Sequence, residues 1–104
     1  METSEQILLS VKKQVLQILP DAEVILFGSR ATSTAHDESD WDILVLSNQL
    51  VTPALKRILH NTIFPLSVAA GVFINVLLVS QKDWKQNPSY YSLKKSIANN
   101  CVFI

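Results

Sequence analysis

The chain has 104 residues, 48% of them hydrophobic, with nine basic and nine acidic residues and a formal net charge of zero. That is enough chain for one hydrophobic core and too little for a second catalytic domain, so residues 1–104 are expected to form a single α/β domain. The balanced charge excludes a global field drawing the protein to nucleic acid or an anionic membrane, and no general nucleic-acid binding is expected.

Near the start, Ile7, Leu8, Val11, Val15, Ile18 and Leu19 recur at helical spacing with Lys12, Lys13 and Gln14 between them. This predicts an amphipathic helix that covers a sheet, with Ser4 as its cap and Pro20-Asp21 as its end. Glu2 and Glu5 stand where a signal peptide carries basic residues, and no apolar run is long enough to span a bilayer. Cys101 is the lone cysteine, which excludes a disulfide framework within the chain and a cysteine-rich zinc site. It is read as an ordinary buried thiol, and the chain is assigned to the cytoplasm.

Val24-Ile25-Leu26-Phe27 is a short apolar run that ends at Gly28, which fits a buried strand. Gly28 permits a sharp turn and close approach of a ligand to the backbone. Ser29 then opens a helical turn over Arg30 to Ala35, where unpaired N–H groups attract phosphate. Arg30 either steadies a phosphate bidentately or stands as an ordinary exposed turn arginine. His36, Asp37 and Glu38 read as a solvated polar loop, since no metal-site spacing joins His36 to His60.

A second strand is expected from Trp41 to Leu46. Its period of two places Asp40 and Asp42 on one face, roughly 6.6 Å apart along the chain, with Trp41 turned to the other. Two carboxylates so close repel unless a cation lies between them, and hard oxygen donors select Mg²⁺ or Mn²⁺. Taken alone, an Asp-x-Asp pair is more often a solvated strand entry and a Gly-Ser pair a mere turn. In this order, with strand signals on both sides, each supplies what the other lacks.

Thr52 is the cap of a further helix with Pro53 in its first turn, running through Leu55, Ile58 and Leu59 towards Ile63, with His60 near its end. After Pro65, residues 66–70 read either as a separate piece or as an extension of the strand expected over Gly71–Val79. Asp83-Trp84 and Asn87-Pro88 mark a loop, and Tyr90 to Asn99 is weakly helical, with Leu93 and Ile97 four apart. Tyr90 and Tyr91 either stack on a base or close the core. The order helix, strand, turn, strand, helix, strand gives a layered α+β domain: a small mixed sheet with helices largely on one face.

The segment from Gly28-Ser29-Arg30 to Asp40-Trp41-Asp42 resembles the signature of the minimal nucleotidyltransferases of the DNA polymerase β superfamily, a Gly-Ser turn followed by an Asp-x-Asp pair. Trp84, Pro88-Ser89-Tyr90-Tyr91 and Lys94-Lys95 look like the tail of the small bacterial members, so the resemblance covers most of the chain. It implies a polymerase-β-type fold, triphosphate binding by Gly28 and Ser29, a divalent cation on Asp40 and Asp42, and transfer of a nucleotidyl group, commonly AMP from ATP, to a hydroxyl. It also implies an antitoxin role beside a helical HEPN-type partner, whose tyrosine some members adenylylate.

The chain departs from the pattern in two places. Thr32-Ser33 stands where a glycine commonly follows, and the third carboxylate is missing from the later strand, whose one polar residue between Gly71 and Ser80 is Asn75. An amide offers a neutral oxygen but accepts no proton at physiological pH, so the alternative is a weakened relative that binds nucleotide or a partner without efficient transfer. Asn75 equally fits a residue at the sheet's edge that hydrogen-bonds locally, and Asp83 is a candidate substitute reaching in from a loop.

Overall fold

A computed structural model describes residues 4–27, 40–98 and 101–104. The first helix, α1, occupies Ser4–Ile18 and so begins at the residue expected to cap it. Ile7, Val11 and Val15 form its buried stripe, continued by Leu19 beyond its end, while Leu9 and Lys13 face solvent. Strands β1 (Glu23–Phe27) and β2 (Trp41–Ser47) pair antiparallel, with Phe27 opposite Asp42. Helix α2 (Pro53–Ala70) then carries the chain to β3 (Ile74–Ser80), which pairs parallel with β2. A parallel pair demands such a crossover because no tight turn returns the chain to the same end. Two short helices, α3 (Gln81–Gln86) and α4 (Tyr91–Ala98), lead to β4 (Cys101–Phe103), antiparallel to β1. The mixed sheet has the order β3-β2-β1-β4.

The two long helices share one face of the sheet. Trp41, Ile43 and Val45 of β2 and Ile74 and Leu78 of β3 pack there with Val11, Val15, Leu59 and Ile63. The alternate residues Leu44, Leu46 and Val79 join Ile25 and Ile97 on the other face, under Trp84, Tyr90 and Leu93. Both faces of β2 are therefore covered, which explains why its sequence is almost unbroken apolar instead of alternating. Among the described residues no helix is long and apolar enough to cross a membrane.

Three expectations are corrected here. Residues 66–70 are neither a separate piece nor part of the strand: α2 runs through the exposed Pro65 to Ala70 and stops at Gly71, whose φ of 72° suits a residue without Cβ. The Gly71 N–H donates to the carbonyls of Ser67 and Val68 at 2.9 and 3.2 Å. Proline forfeits one helical hydrogen bond, but burial of Ile63 and Ser67 on either side of it holds the helix in register. β3 accordingly begins at Ile74, three residues after the expected start. Finally, Asp83-Trp84 belong to α3, which Ser80 caps by accepting the Asp83 N–H at 3.1 Å.

At the end of β2, the Ser47 hydroxyl donates to Asp21, which also accepts the Asn48 N–H at 2.6 Å. The Asn48 bond, the largest effect, holds the Asp21 carboxyl below its usual value of 3.8 against an opposing effect of desolvation, with a smaller lowering from the Ser47 bond. A depressed folded-state pKa stabilises the fold above the unfolded value, and that contribution is lost as pH falls through the folded one. Asp21→Asn is therefore expected to lower the thermal midpoint at pH 7, with the gap to the parent protein closing below pH 3.8. Melting curves recorded from pH 7 down to pH 2 check it, and a gap that widens on acidification contradicts the assignment.

Candidate active site

Asp40 is exposed and immediately precedes β2; Asp42 is half-buried within it. Because Trp41 between them is 2% exposed and packed in the helix-side core, strand alternation sends both acids to the opposite face. The parallel register places Asn75 of β3 beside Asp42. Its amide Nδ2 donates to Asp40 Oδ2 and to Asp42 Oδ1, each at 3.3 Å. Three polar side chains thus converge where β2 and β3 begin, and Phe27, the last described residue before Gly28, is the register partner of Asp42.

The start of β3 is held from two sides. The buried Ser67 hydroxyl of α2 accepts the Ile74 N–H at 3.2 Å, and the Phe73 carbonyl accepts the Trp41 N–H at 2.8 Å. Both contacts fall on the Phe73–Ile74 peptide just before Asn75, so the crossover helix and the neighbouring strand together set where its amide reaches. Sequence reasoning missed Ser67 and Phe73, since neither a buried serine inside a helix nor a backbone carbonyl carries a recognisable pattern.

Among the described residues neither acid is ion-paired with a lysine or arginine, and the two negative charges meet only the neutral amide. No group of three or more His, Cys, Asp and Glu side chains gathers among the described residues. Two neighbouring carboxylates nevertheless suit a divalent cation, because hard oxygen donors are what Mg²⁺ and Mn²⁺ take. As oriented here Asn75 is a donor to the acids; it offers its own oxygen only if the amide turns over.

The other candidates fall elsewhere. Gly28, Ser29 and Arg30, with the expected helical turn to Ala35 and the loop residues His36, Asp37 and Glu38, lie outside the described residues. Asp83 cannot stand in for a third carboxylate: it follows Ser80, which pairs with Ser47 at the far end of the strands. Five residue steps of strand separate Ser80 from Asn75, on the order of 16 Å. Asn75 does lie on an edge strand, but its partners are the two acids and not local groups. His60 is in mid-helix rather than near a helix end, since α2 is longer than expected, and its ring lies 6.2 Å from that of Phe64. Tyr90 is half-buried against Trp84, whereas Tyr91 is 63% exposed with Lys95 Nζ 5.6 Å from its ring centre. Cys101 is half-buried, not fully enclosed.

A small mixed sheet with helices, α+β in class, is the fold of the nucleotidyltransferase neighbours. The chain belongs to the nucleotidyltransferase domain family, whose model matches residues 8–104, in keeping with the resemblance to the minimal nucleotidyltransferases. Among solved structures it is similar to spectinomycin adenyltransferase AAD(9) of Enterococcus faecialis, crystallised with ATP and spectinomycin. There the identity is 25%, the TM-score 0.68, and the match covers 81% of this chain but 37% of that one. It is also similar in fold to the toxin-antitoxin MntA-HpeT, with 18% identity, a TM-score of 0.67 and coverage of 99% and 72%. A third likeness is to the complex of a tri-AMPylated Shewanella oneidensis HEPN toxin with its MNT antitoxin, with 19% identity, a TM-score of 0.56 and coverage of 93% and 70%. The chain thus spans little over a third of the adenyltransferase and about seven-tenths of the other two. No curated protein matches it by sequence.

Proposed function

We propose that residues 1–104 act as one domain that binds a nucleoside triphosphate with Mg²⁺ or Mn²⁺ and transfers its nucleotidyl group, AMP from ATP, to a hydroxyl acceptor. The observation that carries this reading is the convergence of Asp40, Asp42 and Asn75 at one point, set by strand register and not by local sequence. In this proposal Gly28, Ser29 and Arg30 hold the phosphates, and Asp40 and Asp42 hold the cation. The bound cation supplies charge neutralisation for the triphosphate and the departing pyrophosphate. The acceptor oxygen bonds to the α-phosphorus, the bond to the bridging oxygen of pyrophosphate breaks, and the acceptor proton leaves to solvent.

The acceptor we propose is a tyrosine of a HEPN-type partner, which gives the protein an antitoxin role in the cytoplasm. It is supported by the fold shared with the antitoxin that accompanies an AMPylated HEPN toxin. A second reading is favoured by one observation. Asn75 faces both acids at the position where the resemblance implies a third carboxylate, and an amide takes no proton. On that reading the protein binds nucleotide and partner tightly but transfers slowly.

Both readings require the acids to bind. Calorimetry with a nonhydrolysable ATP analogue is expected to give heat with Mg²⁺ and none with EDTA. Asp42→Ala is expected to weaken binding about 100-fold, the equivalent of roughly 3 kcal/mol for a lost charged ligand. Transfer from labelled ATP to a HEPN-type partner should vanish with it. Binding that ignores both the metal and the substitution defeats both readings.

A further inference from the structure

We infer that the outer stripe of α2 is the interface through which two copies of this chain associate about a twofold axis. Phe64, Val68 and Phe73 are 55%, 65% and 72% exposed, and together with His60 they line a trough of about 530 Å³ that ends at Asn75. Arg57, Asn61, Phe64 and Val68 follow one another at steps of three or four residues, all exposed, on the side of the helix turned from the buried Leu59 and Ile63. Exposed apolar surface of this continuity on a small domain marks a contact with another macromolecule.

The charges say which one. α2 has Lys56 and Arg57 in its N-terminal half, no acidic residue in its first turn and no basic residue in its last. Residues 53–70 contain no Asp or Glu at all. This reverses the arrangement a helix dipole favours, in which cations sit at the C-terminal end. An ion pair that would compensate Lys56 or Arg57 is missing among the described residues. An antiparallel copy of the same helix removes the conflict. With the axis at Phe64, the two Phe64 rings meet each other, His60 of each copy meets Val68 of the other, and Arg57 lies beside the Gly71 end of the second helix. Each cation then stands at a carbonyl end that has none of its own.

Two further observations agree. The formal net charge is zero, so no long-range repulsion keeps two copies apart. The trough ends beside Asn75 but lies on the other side of the sheet from the two acids. Asp42 alternates with the helix-side residues Trp41 and Ile43, so Asp40, Asp42 and the Asn75 amide occupy the other face of the sheet.

The test is sedimentation velocity of the full chain from about 1 to 200 µM, a range that brackets the weak association of an interface smaller than standard size. It is run without nucleotide, so its outcome is independent of the proposed transfer activity. The expected result is a concentration-dependent shift from 11.6 kDa to twice that mass. Phe64→Glu should leave monomer at every concentration, and Arg57→Glu should weaken the dimer about tenfold, while Leu9→Glu, at an equally exposed apolar position of α1, leaves it intact. Circular dichroism establishes that the variants are folded; should Phe64→Glu fail to fold, Val68→Glu is judged in its place. A chain that stays monomeric throughout overturns the inference, whether or not a foreign protein binds the trough. So does a dimer indifferent to both α2 substitutions, or one lost to Leu9→Glu.

Discussion

Asn75→Asp is expected to raise the rate at which this protein releases pyrophosphate from ATP, with Mg²⁺ and a HEPN-type partner present as the hydroxyl acceptor, by about 10²–10⁴-fold, the usual contribution of a positioned general base. The substitution changes no heavy-atom count, and the strand register already brings this side chain to within 3.3 Å of both acids. What changes is chemistry. An amide gives the acids two hydrogen-bond donors and keeps their combined charge at minus two; a carboxylate adds a third negative charge and a site that accepts a proton. The cost appears when no cation is present. Three carboxylates with no counter-ion repel, so in EDTA the variant should melt several degrees below the parent protein, a shift of about 4–8 °C for each kcal/mol in a domain of this size. Adding Mg²⁺ should restore the midpoint. The two readouts separate the proposals: restored stability with faster release identifies a site one proton acceptor short of full activity. A variant that regains its midpoint with Mg²⁺ yet releases pyrophosphate no faster excludes Asn75 as the limiting position.

How much of this was legible beforehand differs between elements for physical reasons. The strand through Phe27 and the strand opening at Trp41 were readable because each is a short apolar run with a clear start or stop, and Thr52-Pro53 is a strong helix start. The far end of that helix was misread because a proline inside a helix is normally costly, and its tolerance here depends on burial of Ile63 and Ser67, which only the tertiary structure supplies. That error displaced the expected start of β3 to Gly71, a residue that in fact ends the helix. α3 went unseen for a different reason. Six residues form it, too few for an apolar period to show, and its one clear signal is Ser80 capping Asp83. The acids themselves were legible as an alternating pair beside a strand. That Asn75 reaches them was an expectation of resemblance, because pairing across a parallel crossover depends on the whole length of α2 and on Ser67 and Phe73 at its exit. The exclusion of Asp83 rests on the same register.

The largest loss of stability is expected from Trp41→Ala, on the order of 3–5 kcal/mol, the range for removing a buried aromatic ring from a core. Marginal stability of about 5–15 kcal/mol for a domain leaves little after such a loss, and the thermal midpoint should fall by roughly 20 °C. Trp41 is 2% exposed and sits where α1, α2 and the sheet meet, so neighbouring side chains cannot close the void without moving a helix. Its position carries a second consequence. Trp41 lies between Asp40 and Asp42, and its burial is what commits both carboxylates to the opposite face; its own N–H, bonded to the Phe73 carbonyl, ties β2 to the chain just before Asn75. Weakening the anchor should therefore loosen the site even in the fraction that stays folded. Affinity for a nonhydrolysable ATP analogue with Mg²⁺ is expected to fall at temperatures well below the new midpoint. Trp84→Ala is the matched comparison, since Trp84 is only half-buried, lies on the other face against Tyr90 and Lys94, and belongs to α3, which follows the far end of β3. It should cost less stability and leave nucleotide affinity unchanged. Equal losses of affinity from the two tryptophan substitutions, measured where both variants are folded, would show that the acids are oriented by something other than the burial of Trp41 on the opposite face.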